Sequence, residues 1–152
     1  MSESQGSAEP GLVVDHIGIA VASAAAAIRA YRDRLGLHVV HDETLQSPSV
    51  RLVYLDGGNV AIQLVEPSGP GPVAVFLAEH GEGLHHLCLR VNGIEQFAAV
   101  AGGLDRVGIY LGGRGRRCAF LSERVAGVLV EFTEHLPMME MPRIVRGPGE
   151  SS

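Results

Sequence analysis

Four residues with metal-ligating side chains stand at matching places in the two halves of the chain. The segments Val14–Val21 and Leu84–Val91 match each other, and each places a histidine ahead of alternating aliphatic residues. A glutamine follows the first histidine after 47 residues, and a glutamate follows the second after 45. A nearly constant spacing of this kind indicates a duplicated module with one potential ligand near each end. The four residues are His16, Gln63, His86 and Glu131.

These side chains form a set of donors suited to one divalent cation. Two imidazoles, one amide oxygen and one carboxylate carry a single negative charge, so a bound divalent ion would keep a net positive charge and open positions for a substrate. Such an ion is a Lewis acid that can stabilise the enolate formed when a proton between two carbonyl groups is removed. A glutamate inside the apolar strand Val128–Phe132 also needs a cation or an equivalent partner, because an unpaired buried carboxylate is costly.

The adjacent pair His85 and His86 leaves a choice of ligand in the second half. Consecutive side chains of a regular strand point to opposite faces, so only one of the two imidazoles is expected to face the site. The alignment with His16 selects His86 for the inward position. His85 is therefore expected to point away.

The first half of the chain predicts a strand, a helix and three further strands. Aliphatic residues from Leu12 to Val21 predict a buried strand. Ser23 is a suitable helix cap, the apolar stripe within Ala24–Leu35 is typical of a helix, and Gly36 can end it. Three strands are expected to follow at 37–44, 50–56 and 59–66, with a hairpin turn between the last two.

The second half repeats this order after a linker. Residues 68–72 are mostly proline and glycine, which do not extend a sheet. A short helix is expected at 73–80 and a strand at 83–91, after which Asn92 and Glu95 predict a capped helix. Short strands at about 106–110, 116–121 and 127–134 would complete the second βαβββ module.

Length, charge and cysteine content limit the class of protein. The chain has 152 residues, 46% of them hydrophobic, which is enough for one domain at 11–135 with module one at 12–67 and module two at 73–135. The composition of residues 1–10 predicts a disordered N-terminal lead segment, and residues 136–152 are expected to form a C-terminal tail. The net charge of −5 argues against nucleic acid, and the apolar runs are far short of the ~20 residues of a membrane span. Because the charge argues against nucleic acid, a small molecule is the expected partner. Cys88 and Cys118 are predicted to be reduced, buried thiols of a cytoplasmic protein.

A resemblance to a known family rests on four segments, which are Asp15–Val21, Gly81–His86, Gly115–Leu121 and Gly127–Glu131. They are similar to the signature segments of methylmalonyl-CoA epimerases, which belong to the vicinal oxygen chelate superfamily together with glyoxalase I and the bleomycin-resistance proteins. The resemblance implies an α+β fold in which two tandem βαβββ modules form a curled mixed sheet around a divalent metal ion, commonly cobalt, manganese, zinc or a similar ion. It assigns the same four ligands, His16, Gln63, His86 and Glu131.

The same resemblance implies an activity. The expected enzyme is an epimerase of 2-methylmalonyl-CoA or a similar branched malonyl thioester, which removes the proton at carbon 2 through a metal-stabilised enolate. Related epimerases are dimers, so a homodimer is expected. Several bacterial epimerases carry a glutamate base on the strand that corresponds to Val50–Leu52, and this chain has none there. Glu131 would serve as one catalytic base if it is only loosely ligated, and the sequence does not identify a second.

The loop Gly112–Arg117 offers a place for the nucleotide end of a coenzyme A substrate. Glycines let a backbone approach a ligand closely, and arginines can meet phosphate oxygens in forked pairs. The epimerases have a glycine-rich and basic loop at the corresponding place. The residues expected to bind phosphate are Gly113, Arg114, Gly115 and Arg116. A solvated turn without a ligand is the alternative interpretation.

Two further functions remain open on the sequence. The loops at 104–112 and 122–126 depart from the pattern of the epimerases, which favours another enzyme of the superfamily, such as a lyase or isomerase of a polyketide-like dicarbonyl compound. A non-catalytic protein that binds a small molecule, such as a drug, is the second alternative. Binding proteins of this kind generally lack a complete set of ligands.

Overall fold

The computed structural model describes residues 11–135, which form an eight-stranded sheet and three α-helices. The predicted disordered lead at 1–10 and the tail at 136–152 lie outside the described residues. The first half comprises β1 (Leu12–Ala20), α1 (Ala24–Leu35), β2 (Val39–Leu45), β3 (Val50–Asp56) and β4 (Ala61–Pro67). The second half comprises α2 (Pro72–His80), β5 (Gly83–Val91), α3 (Ile94–Ala101), β6 (Tyr110–Leu111), β7 (Arg117–Phe120) and β8 (Val130–Glu134).

The strand order confirms the predicted duplication. The sheet runs β2-β3-β4-β1-β5-β8-β7-β6, so each half contributes four strands with the same connectivity. β1 pairs in parallel with β4, and β5 pairs in parallel with β8. The two halves meet where β1 and β5 pair antiparallel. This is the predicted α+β fold, a curled mixed sheet made of two βαβββ modules.

Helix α1 has the predicted bounds because both of its ends are specified locally. The Ser23 hydroxyl accepts a hydrogen bond from the Ala26 N–H at 3.2 Å, which satisfies one of the free donors of the first turn. Gly36 adopts φ 71, and its N–H returns to the Arg32 carbonyl. A left-handed residue of this kind ends a helix at little cost only when it is glycine.

Two predictions about the second half were wrong. The Asn92 side chain does not cap α3, whose N-cap is Gly93; instead the Glu134 carboxylate accepts the Ile94 N–H at 3.3 Å. The strand expected at about 106–110 is reduced to Tyr110–Leu111. The preceding residues form a turn, because the Asp105 carboxylate accepts two backbone N–H groups at 3.1 Å.

Alternation along the strands separates the core from a cavity. On β4, Leu64 packs with residues of α1, whereas its neighbour Gln63 faces the cavity. On β8, Phe132 packs beside α3, whereas its neighbour Glu131 faces the cavity. The period of two along a strand therefore presents one apolar face to the helices and one mixed face to the interior of the curled sheet.

None of the helices in the described part of the chain has the length and apolarity that a membrane crossing requires.

Candidate metal centre

A cavity of about 420 Å³ lies within the curl of the sheet, and all four predicted ligands line it. Most of its wall is aliphatic and aromatic. The polar side chains are concentrated where β1, β4, β5 and β8 adjoin in the middle of the sheet. A mostly apolar cavity with a few converging polar groups is the usual form of a small-molecule site.

Three of the predicted ligands converge on one point. The Nε2 atoms of His16 and His86 are 3.2 Å apart, and Oε1 of Glu131 lies 3.6 Å from the first and 3.7 Å from the second. Donor atoms about 2.1 Å from one ion and roughly 90–110° apart are separated by about 3.0–3.4 Å. The observed separations differ from this range by a few tenths of an ångström at most. This triangle of donor atoms therefore fits a single metal ion.

The fourth predicted ligand, Gln63, lines the same cavity and is buried. Its Nε2 donates a hydrogen bond to the Tyr54 hydroxyl at 2.8 Å, which fixes the orientation of the amide. Within residues 11–135 no donor reaches its Oε1, although this atom is buried. A buried acceptor without a donor is costly, and a cation would satisfy it.

Two β-bulges shape the site, one on each of the paired strands β1 and β5. Asp15 is the extra residue on β1, and His85 is the extra residue on β5, each immediately before a histidine that is a predicted ligand. A bulge re-aims the side chains beside it. The prediction that His85 points away was therefore wrong, since His85 lines the cavity together with His86.

Each bulged residue contacts the predicted ligand histidine that follows it. Oδ2 of Asp15 lies 2.7 Å from Nδ1 of His16, and Nδ1 of His85 lies 2.8 Å from Nδ1 of His86. The carboxylate accepts the Nδ1 proton of His16, so its Nε2 presents a lone pair to the site. The same tautomer at His86 would make its Nδ1 the donor to His85. Two lone pairs and a carboxylate oxygen then face one another, which is an arrangement that a cation stabilises.

The remaining partner is Tyr110, whose hydroxyl donates to Oε2 of Glu131 at 2.7 Å. Burial raises the pKa of Glu131, against the opposing effects of His16 and Tyr110. Burial also lowers the pKa of His86, and the neighbouring His16 and His85 rings lower it further. Both shifts disfavour the charged forms, as expected for buried groups that lack a compensating charge.

The glycine and arginine loop follows β6 and turns inward. The guanidinium of Arg114 is paired with Asp15, and Arg116 Nη1 donates to Asp15 Oδ1 at 3.2 Å. Gly113 packs so closely on the Tyr54 hydroxyl that a Cβ at this position would overlap it. Gly115 adopts φ 66, a left-handed conformation that favours glycine. The predicted contact of this loop with phosphate stays a prediction.

Asp15 is a residue of the site that the sequence analysis did not assign. Burial alone would raise its pKa, but the hydrogen bond with His16 and the positive charge of Arg114 more than offset this effect and hold the pKa well below its usual value. Asp15 is therefore an anion held between an imidazole and three guanidiniums, because Arg90 Nη1 also lies 3.8 Å from its Oδ1. Its alignment with His85 in the internal repeat is a signal that could have indicated its role.

A second group of donor atoms, from Asp15, His16 and Cys88, overlaps the first. The carboxylate of this group is already paired with Arg114 and Arg116. Two guanidiniums repel an incoming cation, and burial holds the Cys88 thiol in its neutral form by raising its pKa. The group that faces the cavity is therefore the better metal site.

Comparison with known proteins decides the family. A sequence model of the Glyoxalase/Bleomycin resistance protein/Dioxygenase superfamily matches residues 15–120. The chain belongs to this superfamily. The resemblance seen in the sequence is thereby confirmed, and so is the fold that it implies.

Relatives of this superfamily member include proteins named as epimerases. It is 38% identical over 128 residues to the uncharacterized protein YqjC of Bacillus subtilis (strain 168), covering 80% of this chain and 91% of the relative. It is 30% identical over 130 residues to the mitochondrial methylmalonyl-CoA epimerase of Homo sapiens, covering 80% of this chain and 73% of the relative. A variant of the methylmalonyl-CoA epimerase of Streptomyces coelicolor, solved in complex with 2-nitronate-propionyl-CoA, superposes with a TM-score of 0.70 at 31% identity, covering 80% of this chain and 93% of that chain.

Proposed function

We propose that this chain is a metal-dependent epimerase of 2-methylmalonyl-CoA or a similar branched malonyl thioester. The observation that carries the proposal is the convergence of His16, His86 and Glu131 on one point of a cavity, with the free oxygen of Gln63 in the same wall. These four residues would hold a divalent ion such as cobalt, manganese or zinc. The bound ion would supply a Lewis acid beside the carbonyl groups of the substrate. The kinship with methylmalonyl-CoA epimerases supports this substrate class.

Glu131 is the residue that we assign to proton transfer at carbon 2. Its Oε1 faces the two histidines, and Tyr110 holds its Oε2 through a hydrogen bond of 2.7 Å. This contact fixes the carboxylate at the wall of the cavity, and Oε1 would accept the substrate proton if the ion binds it only loosely. Oriented general bases contribute roughly 10²–10⁴-fold to a rate.

The apolar part of the cavity would take the branched acyl group. Leu52 and Val50 of β3, Val65 of β4 and Val73 of α2 line this part. They exclude water from the reacting carbon, which strengthens electrostatic interactions there. The thioester arm would leave toward solvent, where we expect the glycine and arginine loop to meet the coenzyme A phosphates. Because Arg114 and Arg116 are paired with Asp15, that contact would use N–H groups that face away from Asp15.

One observation favours a second candidate, a lyase or isomerase of the same superfamily acting on a dicarbonyl compound. Epimerisation takes a proton from one face of a carbon and returns it to the other, which usually requires two groups. Among the described residues that line the cavity, the carboxylates are Glu131 and Asp105. Oδ1 of Asp105 accepts two backbone N–H groups of its own turn. A reaction that needs one base would suit such a site.

Deuterium exchange with stereochemical analysis tests the proposal. The metal-loaded protein is incubated in heavy water with one stereoisomer of methylmalonyl-CoA, and both the deuterium at carbon 2 and its configuration are followed. An epimerase incorporates deuterium and produces both configurations. Exchange with retained configuration would favour the one-base candidate, and no exchange above the uncatalysed rate would refute the proposal.

A homodimer and a cytoplasmic location remain part of the proposal. Sedimentation of the purified protein at several concentrations would test the first.

A further inference from the structure

Arg114 belongs to the second module but makes its contacts with the first. It lies in the loop between β6 and β7, and its guanidinium is paired with Asp15 of β1. Its backbone N–H donates to Oε1 of Glu43 on β2 at 2.7 Å. Its guanidinium carbon lies 4.5 Å from the centre of the Tyr54 ring on β3. The residue therefore joins the two halves of the molecule beside the metal centre.

The backbone of Arg114 has a conformation that glycine adopts more readily. It has φ 61 and ψ 23, in the left-handed region, between Gly113 and Gly115. A residue with a Cβ is disfavoured there. Such conformations persist where the surrounding structure determines them, and they cluster at functional sites. The contacts with Asp15, Glu43 and Tyr54 provide that surrounding structure.

Two of these contacts lie one step away from predicted metal ligands. Asp15 accepts the Nδ1 proton of His16 at 2.7 Å, and the Tyr54 hydroxyl accepts from Nε2 of Gln63 at 2.8 Å. Arg114 thus touches the hydrogen-bond partners of one ligand from β1 and one from β4. Groups that hydrogen-bond a metal ligand directly, as Asp15 and Tyr54 would, typically change metal affinity or activity by 10–100-fold when they are removed.

We propose that Arg114 is a positioning residue of the metal centre, which acts on His16 through Asp15 and on Gln63 through Tyr54. The inference rests on the metal site of the proposed function. Arg116 reaches only Asp15 among these residues, at 3.2 Å, so its effect should be the smaller of the two. This role differs from phosphate binding, because it affects the affinity for metal in the absence of substrate.

Cobalt titration of the metal-free protein tests the inference. Co²⁺ bound to imidazole and carboxylate gives a visible absorption spectrum that reports its coordination. We expect R114Q to lower Co²⁺ affinity by about tenfold, the lower end of the range for groups that contact a ligand directly, and to change this spectrum. R117Q is the matched control, because Arg117 begins β7 directly after the loop and pairs with Glu95 and Glu134 at the surface. Co²⁺ binding by R114Q that equals that of the wild-type protein would overturn the inference.

A second set of variants tests whether Arg114 acts through Asp15, and it remains informative if R114Q alone folds poorly. R114Q leaves the Asp15 carboxylate with less compensating positive charge, whereas D15N combined with R114Q removes that buried negative charge. The loss of Co²⁺ affinity on removing Arg114 should be smaller in the D15N background than in the wild-type background. In the D15N background Arg114 can no longer act on His16 through the Asp15 carboxylate. Equal losses in the two backgrounds would contradict action through Asp15.

The outcomes separate the inference from the proposed function. A wild-type protein that binds no Co²⁺ would refute the metal site and the proposed function together. Unchanged Co²⁺ affinity in R114Q, with wild-type binding intact, refutes the inference alone. If that variant also had a higher KM for a coenzyme A thioester but not for the truncated pantetheine thioester, Arg114 would be a phosphate ligand and not a positioning residue.

Discussion

Gly18 lies directly opposite His86 where β1 and β5 pair, and the imidazole occupies the space that a side chain at position 18 would fill. A Cβ at Gly18 would overlap the ring of His86 itself, so the position has to be glycine for His86 to reach the site. On the same ladder, Cys88 lies opposite His16. The pairing of β1 with β5 thus sets the place of both histidines.

We predict that Gly18→Ala abolishes or strongly weakens metal binding while the protein remains folded. The added methyl group displaces the His86 ring and leaves the backbone conformation acceptable. Equilibrium dialysis against Co²⁺, with circular dichroism as the check on folding, would measure the effect. Gly71→Ala is a control, because a Cβ there meets no atom within 4 Å. Wild-type metal affinity in the Gly18 variant would show that His86 is not a ligand in the orientation described.

Glu131→Gln should remove both the negative charge of the ligand set and the assigned base. We expect the rate of deuterium exchange at carbon 2 to fall by roughly 10²–10⁴-fold. Glu123→Gln removes a carboxylate from an exposed loop of the same module and should leave the rate unchanged. An exchange rate in Glu131→Gln within a factor of two of the wild-type rate would exclude Glu131 as the base.

Tyr110→Phe should have a smaller effect of the same sign. The substitution keeps the ring, which stacks on Phe120, and removes only the hydroxyl that donates to Glu131. Loss of a group that orients a ligand is expected to lower metal affinity or activity by about 10–100-fold. Tyr31→Phe, on α1, is the control for loss of a tyrosine hydroxyl away from the cavity. Equal Co²⁺ affinities and exchange rates for the Tyr110 variant and the wild-type protein would mean that this hydrogen bond has no part in the site.

The cysteine thiols should be unreactive in the folded protein. Both side chains are buried, and burial raises the pKa of Cys118 to about 12 and that of Cys88 well above its usual value. A raised pKa keeps a thiol protonated at pH 8, and the thiolate is the reactive form. A chromogenic disulfide reagent should therefore label two thiols per chain in denaturant and almost none without it. Rapid labelling of the native protein would contradict the described burial.

The parts of the site that follow from regular structure could be predicted from the sequence. Alternation along β4 and β8 places Gln63 and Glu131 on the face opposite the helices, and the pattern of apolar residues is enough to show this. The duplicated spacing then relates these residues to His16 and His86 without any knowledge of the pairing.

The parts of the site that depend on contacts between distant segments could not be predicted from the sequence. The bulges at Asp15 and His85 arise from how β1 pairs with β5, and neither strand carries a local signal for them. This is why strict alternation led to the wrong orientation for His85. The inward turn of Arg114 likewise depends on Asp15, which is far away in the chain.

Anomalous diffraction at the cobalt absorption edge, from crystals of the protein grown with Co²⁺, would locate the bound ion. We expect one strong peak per chain in the cavity, within about 2.0–2.3 Å of donor atoms from His16, Gln63, His86 and Glu131. A peak at any other group of residues, or no peak in the cavity at saturating Co²⁺, would contradict the proposed metal site.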